Sequence, residues 1–147
     1  MQKFTHKLGF SFELPDAWEL ASNKITDEFS PYALYRFNAQ NKDRLFVMFR
    51  GIVPLNILDE CYSYSFDILQ KTNDIINQEF ADLDIDGNTT QIMKIKSVNT
   101  RSNKFQLDYF FPISLREHSV GHLCLLTNFL DENSDKLLQQ ILASWKY

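Results

Sequence analysis

The stretch from Asn56 to Thr72, NILDECYSYSFDILQKT, predicts a helix in the middle of a chain that is otherwise rich in strand patterns. Residues spaced three and four apart form one face of this helix: Leu58, Cys61, Tyr62, Ser65, Ile68, Leu69 and Thr72. Asn56 is the expected N-cap, because its side chain can accept a hydrogen bond from the first turn. Tyr64 and Phe66 lie outside this stripe, so they reach its margins or face something other than the main core.

Alternating apolar and polar residues on both sides of the helix predict about seven strands. They fall within residues 10–14, 32–39, 44–53, 73–85, 91–98, 105–111 and 118–130. The segment 73–86 also fits a continued helix, but the alternation of Leu83 and Ile85 before the Asp86-Gly87 turn favours a strand. Residues near Trp18 are expected to be irregular, and Pro112 is expected to end its strand.

The segment from Ser134 to Trp145 predicts a second amphipathic helix, whose apolar face must be buried on the sheet. The order of elements is therefore about three strands, a helix, about four strands and a helix. This order is typical of an α+β fold with a central, mostly antiparallel sheet of six or seven strands. We expect residues 1–147 to form a single domain, with the middle helix crossing between two halves of the sheet.

The composition indicates a globular chain with an acidic balance. Hydrophobic residues make up 44% of the sequence and include 13 Phe, 6 Tyr and 2 Trp, which excludes a disordered chain. The net charge of −4 argues against nucleic-acid binding, which depends on clustered lysine and arginine. A local basic group surrounds one predicted turn, and we interpret it as ordinary solvated surface: Lys94, Lys96, Arg101 and Lys104.

The N-terminal sequence MQKFTHKLGF lacks the apolar segment of a secretory signal, and no run of apolar residues is long enough to span a membrane. We therefore expect a cytoplasmic protein without direct membrane insertion. The two cysteines, Cys61 and Cys124, are expected to be buried free thiols. Both positions argue against a reactive nucleophile, which needs an exposed, electropositive setting.

Two patterns in the sequence resemble parts of metal sites. Asp82, Asp84 and Asp86 before Gly87 copy the first half of an EF-hand loop, but Met93 stands where that loop needs a glutamate. We interpret this segment as an acidic hairpin turn. We expect no cofactor.

His118 and His122 share one face of a predicted strand, with Cys124 two residues further along. These residue types suit zinc, although a fourth ligand is missing. A small enzyme or metal-binding protein that uses His118 and His122 is therefore the alternative hypothesis to a non-enzymatic protein.

A surplus of aromatic residues and methionine lies off the expected core positions. Core packing explains such residues, and an exposed patch would mark a hydrophobic partner site or a homodimer interface. The candidate partner-binding residues are Tyr64, Phe66, Phe110, Phe46 and Met48.

The opening GFSFELPDAWEL and the C-terminal pattern L-x-x-I-L-x-S-W resemble the two ends of the PsbP-like superfamily. The matching positions are Phe10, Phe12, Leu14, Pro15, Trp18 and the helix that ends at Trp145. The resemblance implies an α/β/α sandwich, usually without catalysis, whose members mostly bind other proteins. That superfamily includes small bacterial proteins of unassigned role and the Eag-type secretion chaperones.

The leading hypothesis is a cytoplasmic, non-enzymatic protein-binding module, such as a chaperone or adaptor for a secreted or membrane-associated partner. It would bind another protein through a hydrophobic segment of that partner. A toxin-neutralising immunity protein is a further alternative, which the acidic charge permits.

Overall fold

The computed structural model describes residues 1–7, 9–22, 33–40, 43–116, 119–128 and 132–146. Positions 32, 118, 129 and 130 of the predicted strands lie outside these ranges. The described residues form β1 (Gln2–Thr5), β2 (Ser11–Leu14), β3 (Glu19–Ser22), β4 (Ala33–Asn38), β5 (Arg44–Pro54), α1 (Leu58–Gln70), β6 (Asn73–Ile85), β7 (Asn88–Asn99), β8 (Phe105–Arg116), β9 (Ser119–Thr127) and α2 (Glu132–Ser144). A short 3-10 turn, Leu55–Ile57, precedes α1.

Seven of these strands form one antiparallel sheet in the order β3-β4-β5-β9-β8-β7-β6. The other two, β1 and β2, pair with each other in a separate small sheet. Helix α1 leaves β5 inside the large sheet and leads to β6 at its edge, which confirms the predicted crossover. The architecture is the α+β sandwich that the element order predicts.

One face of the sheet carries the first core, which packs with α2 and the β1-β2 pair. Trp145, after the end of α2, stacks on Phe10 and Phe12 with ring centroids 4.8 and 5.3 Å away, and meets the edge of Phe111 at 5.1 Å. All four rings are fully buried. The apolar stripe of α2 is buried on this face as predicted: Leu137, Leu138, Ile141 and Leu142.

The opposite face of the sheet carries a second, smaller core under α1. Tyr62 and Ser65 of the predicted stripe are buried, and its remaining helical members are half-buried. Thr72 lies beyond the end of α1 and is exposed. The two cores together give the sandwich its layers: α1, the sheet, and α2 with the small β1-β2 sheet.

The segment 73–86, whose sequence fits either a helix or a strand, contains strand β6. The helix ends at Gln70, and a two-residue turn joins β6 to β7, so that Ile85 pairs with Asn88. Asp86 and Gly87 in that turn have φ angles of 51° and 79°. Positive φ at both central positions is the geometry of a type I′ hairpin, and it explains why the Asp-Gly signal located the turn.

Several local expectations are corrected. Segments β1 and β3 are strands, although neither shows a long alternation; both are short and are ordered by neighbouring strands. The N-cap of α1 is Ile57 without a side-chain cap, since Asn56 belongs to the preceding 3-10 turn. Strand β8 continues through Pro112, which pairs with His122 of β9. Proline is tolerated there because the pairing of β7 with β8 stops at Phe110.

Candidate partner-binding surface

Three of the five candidate binding residues lie inside the second core. A row of paired residues crosses four neighbouring strands in register: Met93, Phe110, Cys124 and Met48. Phe46 lies on the same face, and all of these side chains are buried. The core-packing interpretation therefore applies to Phe46, Met48 and Phe110, and the alternative of an exposed patch does not, because α1 folds back over them and supplies the cover that the second face of a central strand needs.

The two candidates on α1, Tyr64 and Phe66, differ in their exposure to solvent. Phe66 is half-buried and packs against the second core from the margin of the helical stripe. Tyr64 is 64% exposed and is the only one of the five candidates that is an exposed side chain. The prediction that these two residues lie off the main stripe is therefore confirmed.

Tyr62 fixes α1 on the sheet. Its side chain is 1% exposed, and its hydroxyl donates a hydrogen bond of 2.8 Å to the carbonyl of Gln91 on β7. Its ring lies 5.5 Å from His122 and 6.0 Å from Phe80 of β6, measured between centroids. Burial, reinforced by the nearby Asp59, raises the pKa of the Tyr62 phenol, so the group stays neutral at physiological pH. The helix is thus held by one buried ring with a satisfied polar end.

Strand β6 forms the outer edge of the sheet beside this helix. Within the described residues it pairs only with β7. All five residues from Ile76 to Phe80 are exposed, so the strand meets solvent on both faces there. Ile76 and Phe80, two large apolar residues of this edge strand, are exposed by 53% and 50%.

Exposed apolar side chains concentrate in this part of the molecule. Seven large hydrophobic residues are exposed in the described ranges, and four of them fall between positions 57 and 80: Ile57, Tyr64, Ile76 and Phe80. No motif in the sequence marks Ile76 or Phe80. Their exposure follows from the strand order, because among the described strands β6 lies at the edge and has a neighbour on one side only.

The same segment is strongly acidic. Residues 58–86 carry eight carboxylates and one lysine, a net charge of −7, whereas the rest of the chain carries +3. Asp86 pairs with Lys146 at 3.5 Å. Within the described part of the chain, no ion pair reaches the four acidic residues of β6: Asp74, Glu79, Asp82 and Asp84. The surface formed by α1 and β6 therefore combines apolar side chains with uncompensated negative charge.

Several buried polar groups beneath α1 have structural partners. Asn73 donates to Ser97 at 2.9 Å, and Gln106 donates to Asp108 at 2.7 Å. The thiol of Cys124 donates to the other Asp108 oxygen at 3.4 Å. This chain of hydrogen bonds satisfies polar atoms inside the second core, so the buried Cys124 is held as a hydrogen-bond donor.

Cys61 is half-buried on α1, and burial together with Glu60 raises the pKa of its thiol. A raised pKa reduces the thiolate that nucleophilic catalysis requires. His122 is buried and lies between the rings of Tyr62 and Phe110, whereas His118 falls outside the described residues. Among the residues that the structure describes, no three His, Cys, Asp or Glu side chains are grouped as metal ligands would be.

The prediction that Lys94 lies on the solvated surface is wrong. It is buried on the α2 face of the sheet, where its ammonium lies 3.6 Å from Asp135 and 5.0 Å from the centre of the Tyr109 ring. The Tyr109 hydroxyl also bonds to Asp135. Burial and this bond raise the pKa of Tyr109. Lys94 therefore ties α2 to the sheet and does not belong to a solvated basic group.

Solved structures of other proteins share this architecture. No family model matches the sequence, and no curated protein matches it. The solution structure of the cyanobacterial PsbP protein CyanoP, from Synechocystis sp. PCC 6803, matches with a TM-score of 0.61 and 16% sequence identity, over 99% of this chain and 91% of that one. The chain has the PsbP-like fold. The resemblance drawn from the two ends of the sequence is thereby confirmed for the fold.

A second structure with the PsbP-like fold also matches. The crystal structure of LpqN, involved in cell envelope biogenesis of Mycobacterium tuberculosis, has a TM-score of 0.60 and 12% identity, over 94% of this chain and 82% of that one. At such identities the likeness concerns the fold alone. None of the helices in the described ranges has the length and apolar composition of a membrane span.

Proposed function

We propose that this protein is a non-enzymatic module that binds another protein through the surface formed by α1 and β6. The observation that carries the proposal is the concentration of exposed apolar side chains on these two elements, where Phe80 packs beside the buried Tyr62 and remains half exposed. Exposed apolar residues at a sheet edge favour association with a partner, because binding removes them from water.

The proposal includes a role as a chaperone or adaptor for a secreted or membrane-associated partner, acting in the cytoplasm. Both cysteines are free thiols, which suits a reducing compartment. The absence of catalysis is also part of the proposal. It is supported by the hydrogen-bonded state of Cys124 and by the raised pKa of Cys61.

Site-specific photo-crosslinking in the source cells tests the proposal. A benzophenone amino acid is placed at Tyr64 or at Phe80, and the matched control carries it at Phe105. Phe105 is exposed to a similar degree, but it alternates in phase with the buried Leu107 and so lies on the α2 face.

We expect adducts with the same partner from positions 64 and 80 and none from position 105. Adducts of the same pattern from all three positions, or from none, would contradict the proposed binding surface. Cell fractionation of the same cultures reports whether the chain and its adducts are cytoplasmic.

A further inference from the structure

We propose that β6 binds an extended segment of the partner by antiparallel strand addition, and that this segment carries lysine or arginine at alternate positions. The inference rests on the proposed function and specifies the chemistry of the partner. It starts from the backbone of β6, which within the described residues is paired on one side and has available hydrogen-bonding groups on the other.

The hairpin turn fixes which backbone groups are available. Because a two-residue turn joins the strands, its flanking pair, Ile85 and Asn88, exchanges hydrogen bonds. Bonded and non-bonded pairs then alternate along an antiparallel ladder. The register is regular from Asn77 to Ile85, so every second residue directs its N–H and C=O away from β7. These outward residues of β6 are Gln78, Phe80, Asp82 and Asp84.

The outward residues also share a side-chain face. Phe80 pairs with Met93 of the second core, which places its side chain on the α1 side of the sheet, and residues two apart follow the same direction. All four side chains are exposed. The intervening Ala81 and Leu83 pack against the first core on the other face. An added strand would thus extend the sheet while β6 keeps its existing contacts.

The side chains of the outward residues determine what the added strand should carry. Opposite residues of paired strands lie beside each other on the same face, about 5 Å apart between Cβ atoms. A partner residue opposite Phe80 would contact an exposed ring, and residues opposite Asp82 and Asp84 would lie beside carboxylates that have no ion pair in the described part of the chain. Read from its N-terminus, the matching antiparallel segment has cations at two alternate positions, and an apolar residue follows two positions after the second cation.

The charge distribution excludes the simplest competing occupant, a second copy of β6. The strand carries four carboxylates and no lysine or arginine, so two copies side by side would repel. Charges and bulges commonly protect edge strands from self-association. Here the bulge lies between Ile75 and Asn77, before the regular segment begins. The acidic residues therefore select against a like strand and favour a cationic one.

Titration of the purified full chain with a synthetic peptide tests the inference. The probe is acetyl-Thr-Lys-Thr-Lys-Thr-Val-Thr-Val-Thr-amide, in which the lysines oppose Asp84 and Asp82 and the first valine opposes Phe80 in antiparallel order. One control peptide has glutamate in place of lysine. A second control is N-methylated at the lysine and valine nitrogens, which keeps its charge and removes the donors that face β6.

Two protein variants separate local pairing from general attraction. Asp82→Asn with Asp84→Asn should weaken binding of the probe by about fivefold, as expected for two exposed ion pairs. Glu13→Gln with Glu19→Gln changes the net charge equally at exposed positions of β2 and β3, outside the surface formed by α1 and β6, and should leave binding nearly unchanged. Because all four positions are exposed, both variants are expected to fold.

Strand addition is supported if the probe binds, both control peptides bind at least about tenfold more weakly, and only the β6 variant loses affinity, as expected when backbone hydrogen bonds and charge both contribute. Equal binding of the N-methylated peptide, equal loss in both variants, or no binding of the probe would overturn it. A dimer of the free protein that Phe80→Lys dissociates would also overturn it. Photo-crosslinks from positions 64 and 80 would leave the proposed function standing in each of these cases.

Discussion

Replacing Tyr62 tests how α1 is held over the second core. Tyr62→Phe removes one hydroxyl whose partner, the Gln91 carbonyl, belongs to an exposed residue that water can reach. The expected loss in free energy of unfolding is therefore at the lower end for a hydrogen bond, about 0.5 to 1 kcal/mol. Tyr62→Ala also removes a ring that is 1% exposed, and we expect a loss of about 4 kcal/mol.

Urea unfolding measures these losses, with tryptophan fluorescence and far-UV circular dichroism followed together so that local detachment of α1 is distinguished from global unfolding. Tyr64 provides the matched control, since it lies on the same helix and is 64% exposed. Both Tyr64→Phe and Tyr64→Ala should change the free energy of unfolding by less than about 0.5 kcal/mol. A cost for Tyr62→Ala no larger than that for Tyr64→Ala would refute the role assigned to Tyr62.

Three further predictions concern other parts of the fold. Burial raises the pKa of Tyr62 and of Tyr109 above the ordinary 10.0, so the folded chain retains phenolic protons that the unfolded chain releases. The contribution of these two phenols to the free energy of unfolding is therefore fully present below about pH 10 and is lost as the pH rises further. Tyr109→Phe should make this alkaline decrease in the free energy of unfolding shallower, as measured by urea titrations at a series of pH values. Gly87→Ala should lower the free energy of unfolding by about 1 kcal/mol in the same assay, because the φ angle of Gly87 is +79°. A Cβ at this position would meet no atom within 4 Å, so the cost comes from the backbone angle. Gly87→Asn should cost less, because asparagine tolerates positive φ better than alanine. Trp145→Ala should lower the unfolding free energy by about 4 kcal/mol through loss of three ring contacts; a loss below about 1 kcal/mol would show that α2 is not held by this residue.

The sequence predicted those features that depend on local periodicity. The spacing of the α1 stripe placed Tyr62 on the buried face and left Tyr64 outside it, as observed. The Asp86-Gly87 signal located the hairpin, because only residues that tolerate positive φ fit a type I′ turn. The α+β order followed from these signals and from the second amphipathic helix.

Features that depend on long-range pairing were not predictable from local patterns. The insertion of β9 between β5 and β8 makes β5 central, so Phe46 and Met48 need a cover, and α1 provides it. The same strand order leaves β6 at the edge and exposes Phe80. Lys94 resembles a surface residue in sequence, and its burial depends on Asp135 from a distant helix.

Amide hydrogen exchange of the free protein, resolved by NMR, tests most directly whether β6 is an edge available to a partner. We expect fast exchange at the outward residues of β6 and slow exchange at the intervening Ala81 and Leu83, whose amides face β7. Added probe peptide should then slow exchange at the outward residues. Strong protection of the outward amides in the free protein, at the level of Ala81 and Leu83, would show that the edge is already occupied and would contradict strand addition at β6.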